Sequence, residues 1–131
     1  MLRADIEKAI NELPAEIKEQ LTTLGSKCLD LLNTHLSAHE QVQQISSASP
    51  RPDTPYNCLL AVTNRRLIFV APAPQAVGWR LSAITKAQSY NGYFFVEGDA
   101  GEYSPGLDSN WGPTFEAQVK RAAAIAVLAG E

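Results

Sequence analysis

Cysteine, methionine and net charge are all scarce in this chain. Two cysteines and one methionine appear in 131 residues. Cys28 and Cys58 are accompanied by no Cys-x-x-Cys pair and no histidine cluster, so neither a disulfide framework nor a zinc ribbon is expected. Two buried free thiols in a reducing compartment is the reading that remains. No apolar run approaches the length of a membrane span, and no basic-then-apolar leader opens the chain, so the expected location is the cytoplasm. A basic excess is missing too. Residues 1–49 carry four cations against seven carboxylates, and residues 50–131 carry seven of each. A phosphate backbone needs a positive surplus, so nucleic acid is not an expected partner.

Signatures of catalysis are likewise missing. There is no nucleophile elbow, phosphate-binding loop or dinucleotide glycine pattern. Asp99, Glu102 and Asp108 each follow a turn, where solvated carboxylates are common, and an enzyme reading would need a pocket that joins Asp99 and Glu102 to His39. His35 and His39 share the i, i+4 spacing of helical metal ligands, but Glu40 is the one nearby candidate to complete a set. No metal and no cofactor is expected.

Hydrophobic residues, in contrast, make up 45% of the chain, enough for one packed domain. Leu2, Ile6, Ile10 and Leu13 lie on one face of a short first helix. Pro14 suits the start of a second, which carries the stripe Ile17, Leu21, Leu24, Cys28, Leu31 and His35. Gly25 falls inside that stripe, where glycine costs about 1 kcal/mol against alanine.

From residue 37 the pattern turns to strands. Residues 41–46 read as a first strand, and the three prolines of residues 49–55 as a loop. Residues 58–62 and 67–70 are apolar on both faces and flank Thr63-Asn64-Arg65-Arg66, a central hairpin. Strands follow at 77–81, 87–90, 93–96 and 102–104, with Asn91-Gly92 as a tight turn and a single helical turn near Ser82. A last helix begins at Thr114 with Phe115, Val119, Ala122 and Ala126 on its apolar face, widened by Ile125 and Leu128. Strands grouped between helices point to α+β rather than a parallel α/β sheet.

Ser37-Ala38-His39-Glu40-Gln41-Val42, with Leu59-Leu60-Ala61-Val62-Thr63-Asn64-Arg65-Arg66-Leu67-Ile68-Phe69, resembles the bacterial pleckstrin-homology-like, GRAM-related families. Their first strand opens on Gly-Glu-x-Val, and His39 stands here in the glycine's place. Leu81-Ser82-Ala83-Ile84 echoes a later family element, so the resemblance covers about residues 37–129. It implies an antiparallel β-barrel of about seven strands, residues 37–131, plugged by a C-terminal helix through Phe115 and Val119 and preceded by a two-helix extension, residues 1–36.

The expected function is therefore a non-enzymatic module for protein–protein interaction or self-assembly. The stripe Ile17, Leu21, Leu24, Cys28 and Leu31 is the candidate helix interface, packing on the barrel or pairing two copies as an isologous dimer. Arg51, Arg65, Arg80, Lys86 and Trp111 are the candidate partner-binding residues; Trp111 is either an anchor or a lid folded onto the barrel. The alternative is peripheral binding to anionic lipid. In pleckstrin domains, basic side chains near the first loops hold such headgroups, whereas the loop at residues 49–55 has one arginine and one aspartate.

Overall fold

The computed structural model describes residues 2–51 and 54–130. Three helices, not two, open the chain: α1 (Ala4–Asn11), α2 (Ala15–Thr23) and α3 (Ser26–His35). Pro14 separates the first two, as expected. The long second helix breaks at Gly25, whose backbone approaches Leu21 so closely that an added Cβ would lie 2.9 Å from the Leu21 carbonyl oxygen. Local period could not reveal the break, because Leu24 continues the stripe in sequence yet is exposed at the joint. The break lets each segment lay its own apolar face on a different part of the sheet beneath: α1 and α2 on β1, α3 on β2 and β3.

That sheet is an antiparallel meander of β1 (Val42–Ala48), β2 (Cys58–Thr63), β3 (Arg66–Ala71) and β4 (Gln75–Arg80). Side chains alternate across it. Cys58, Leu60, Val62, Leu67, Phe69 and Trp79 join one core, while Leu59, Ala61, Ile68 and Val70 join a second core with Ile6, Ile17, Leu21, Cys28 and Leu32 of the helices. Burial on both faces is the reason residues 58–62 and 67–70 are apolar throughout.

A second antiparallel sheet holds β5 (Lys86–Tyr90), β6 (Tyr93–Gly98) and β7 (Gly101–Tyr103). Positive φ at Asn91 (49°) and Gly92 (81°) turns β5 into β6. Gly106 pairs with both Ser49 and Tyr93, so the two sheets meet at one corner. Among the described residues they do not close into the expected barrel. The edge of β5 is met by the last helix, α4 (Gly112–Leu128): Glu116 accepts hydrogen bonds from the Ser89 amide at 2.6 Å and the Ser89 hydroxyl at 3.2 Å.

The face of α4 that turns inward is the expected one: Phe115, Val119, Ala122 and Ala126 are buried. Phe115 meets the Phe94 ring edge-on at 5.5 Å. Two details differ. The helix starts at Gly112, with Pro113 in its first turn, where its missing N–H costs nothing. Ile125 and Leu128 do not widen the buried stripe but face solvent.

Candidate functional site: an arginine pocket

The β2–β3 turn is built around Thr63, the buried last residue of β2. Its hydroxyl oxygen accepts the amides of Arg65 and Arg66, each at 3.0 Å, which is the local bonding that suits threonine to a tight turn. The same hydroxyl donates to Glu40 Oε2 at 2.9 Å. Two adjacent arginines are thereby held at one end of the sheet. Register adds a third, because Arg66 on β3 lies opposite Arg80 on β4.

The three guanidinium groups are not equivalent. Arg66 is locked: its Nε and Nη2 donate to the two Glu40 carboxylate oxygens, both at 2.9 Å, and Nη2 also reaches the His35 carbonyl at 2.9 Å. Glu40 is buried and also accepts the Ser37 amide at 3.1 Å. Burial alone would raise its carboxyl, but the hydrogen bonds from Arg66, Ser37 and Thr63, together with the Arg66 charge, hold it below the ordinary carboxylate value. Arg80 is half engaged: its amide and Nε donate to the Asp99 carboxylate at 3.1 and 2.9 Å. That Arg80 hydrogen bond, against slight desolvation, lowers the Asp99 carboxyl too. Arg65 is exposed, and its side chain has no hydrogen bond or ion pair among the described residues.

Arg65, Arg66 and Arg80 line a cavity of about 340 Å³ with Glu40 and Ser82. Three cations face two carboxylates, Glu40 and Asp99, so the cavity carries one surplus positive charge. Its chemistry is that of a seat for an anion. Glu40 makes the seat rigid, since the Arg66 fork joins the end of α3 to β3 through one carboxylate.

The other residues proposed from sequence lie apart from this cavity. Arg51 belongs to the β1–β2 loop at the opposite end of the hairpin, where its carbonyl oxygen accepts from Ser49 and Thr54. Lys86 sits over the Phe95 ring at 5.9 Å on the outer face of the second sheet. Tyr93 stacks on Phe95 there at 5.7 Å, and Tyr90 and Tyr93, opposite each other on β5 and β6, are exposed. Trp111 is half-buried against both cores, and its buried Nε1 has no hydrogen-bond partner among the described residues. Of the helix stripe, Ile17, Leu21 and Cys28 are buried inside this chain, Leu31 packs at the margin and Leu24 is exposed. His39 lies beyond the end of α3, so the i, i+4 pairing with His35 on one helical face does not form.

Glu40, Arg66 and Ser82 are not among the candidate partner-binding residues named from sequence. Arg66 beside Arg65 at the head of a strand was the available signal. Glu40 lies 26 positions from Arg66, so only the fold shows the pairing. No protein-family model matches the chain, and no curated protein matches it.

Proposed function

We propose that this chain is a non-enzymatic binding module of pleckstrin-homology-like architecture, which holds an anionic group of a protein partner in the arginine pocket. The observation that carries the reading is the Arg65 guanidinium, unpaired among the described residues in a cavity whose other two arginines are already engaged by Glu40 and Asp99. Supporting the architecture are a four-stranded and a three-stranded antiparallel sheet, strands in sequence order, and a C-terminal helix whose Phe115 and Val119 fill the space between them. Ile17, Leu21 and Cys28 of the helix stripe are already buried against the chain's own sheet, which favours a different protein over a second copy as the partner. Two buried free thiols suit a reducing compartment, the cytoplasm. Among the described residues, no helix is long and apolar enough to cross a membrane.

Calorimetric titration of the full chain with a polyglutamate peptide, and with phosphatidylserine vesicles in parallel, tests this. A charge-assisted hydrogen bond contributes about 1.5–3 kcal/mol, so Arg65→Gln should weaken peptide binding at least roughly tenfold. Equal binding by wild type and variant overturns the proposal, and binding to vesicles without binding to peptide overturns it in favour of a lipid surface.

A further inference from the structure

The charge in the pocket discriminates between anions, an inference that rests on the pocket reading above. Phosphate-recognising proteins gather arginines whose charge is free to meet the phosphate. A phosphate monoester carries about −1.5 to −2 near neutral pH. Here the arginines are largely answered from within. Glu40 takes both Nε and Nη2 of Arg66, and Asp99 takes the Nε of Arg80. Among the described residues, Arg65 alone of the three offers a whole guanidinium. The planar fork suits either anion, but one surplus charge answers a carboxylate in full, whereas a phosphate dianion would leave one of its charges unanswered as it is desolvated.

We infer that the pocket is selective for a single carboxylate of a protein partner, and that Asp99 sets this selectivity by neutralising Arg80. Asp99 lies in the turn between β6 and β7. It is not among the residues that line the cavity, so it shapes the ligand's charge without occupying the ligand's place. Its two oxygens accept from the Arg80 amide and Nε, a solvent-exposed pair in which the Arg80 side chain is 74% exposed. Asp99→Asn keeps an oxygen for the Arg80 amide and removes the charge. The surplus then rises from one to two, the charge of a phosphate monoester.

Three acetylated tripeptides, two of them amidated at the C-terminus, distinguish the sources. One carries a central glutamate, one a central alanine with a free C-terminal carboxylate, and one a central phosphoserine. Each is titrated into wild type, Asp99→Asn and Arg65→Gln at one ionic strength, with circular dichroism as the check of fold. The wild type should bind the glutamate or the free-carboxylate peptide at least fivefold more tightly than phosphoserine, the tighter of the two naming the carboxylate's source. Asp99→Asn should shift the ratio toward phosphoserine by at least fivefold. A wild type that prefers phosphoserine, or a ratio unmoved in Asp99→Asn, overturns the inference while loss of binding in Arg65→Gln leaves the pocket reading standing. Binding that Arg65→Gln does not weaken, or no binding of any peptide, overturns both.

Discussion

Replacing Glu40 by glutamine should destabilise the protein more than any other single change in or beside the arginine pocket. The carboxylate receives four hydrogen bonds, two from Arg66 and one each from Thr63 and the Ser37 amide. Glutamine keeps the size but presents an NH2 group to donors and leaves the Arg66 charge unanswered. Breaking a fully buried ion pair costs about 3–5 kcal/mol. The Glu40 side chain is 4% exposed but that of Arg66 is 32% exposed, so water recovers part of the loss. About 2 kcal/mol is the reasoned figure, once the buried-pair cost is discounted for screening. With a urea slope of about 2 kcal/mol per molar, the midpoint falls by roughly 1 M. The dependence on pH has a definite sign. A carboxyl lowered by folding contributes stability that is full above its unfolded value, about 4.3, and is lost as pH falls through the lower folded value. The gap between wild type and Glu40→Gln should therefore narrow below about pH 4. A urea midpoint within about 0.2 M of wild type at neutral pH would refute the argument that Glu40 pins the helix layer to the sheet.

Other substitutions probe the packing. Gly25→Ala would gain about 1 kcal/mol in an uninterrupted helix. Here the new Cβ would meet the Leu21 carbonyl oxygen at 2.9 Å, so thermal unfolding should show a loss of about 1 kcal/mol or more, and a rise in melting temperature would contradict the break. Phe115→Ala empties the space between the sheets and should cost about 3–5 kcal/mol in denaturant unfolding; a cost under about 1 kcal/mol would place the plug elsewhere. Burial raises the Cys28 and Cys58 thiols to about 11, so a thiol reagent near neutral pH should label neither until the chain unfolds. Rapid labelling of the native protein would contradict their burial.

Much of this fold can be read from residue pattern, because its signals are local. Alternation and turn chemistry locate all seven strands within a few residues, and Asn91-Gly92 adopts the two positive φ angles its composition suggests. The inward face of α4 follows from the spacing of Phe115, Val119, Ala122 and Ala126. What escaped depends on tertiary partners. The two-faced hydrophobicity of β2 and β3 announced a covered sheet, and of the two places expected for the helix stripe the helices take the chain's own sheet. Gly25 breaks a helix that the heptad spacing carries straight through, because the surface below decides where each apolar face must land. The pocket was half legible. Arg65 and Arg80 stood out as cations, but their meeting rests on strand register, Arg66 opposite Arg80, and on a carboxylate contributed from just before β1. Arg51 and Lys86 share only their charge with that cluster, and the fold sets them and Trp111 apart from it.

A ligand seat at the arginine pocket is a matter of place, which nuclear magnetic resonance reads residue by residue. Amide spectra of the uniformly labelled chain are recorded during titration with a polyglutamate peptide. Shift changes should concentrate at Asn64 to Arg66 and Arg80 to Ser82, with Arg65 and Ser82 leading. Changes centred instead on the exposed Tyr90–Tyr93–Phe95 face, or on the β1–β2 loop around Arg51, would contradict it.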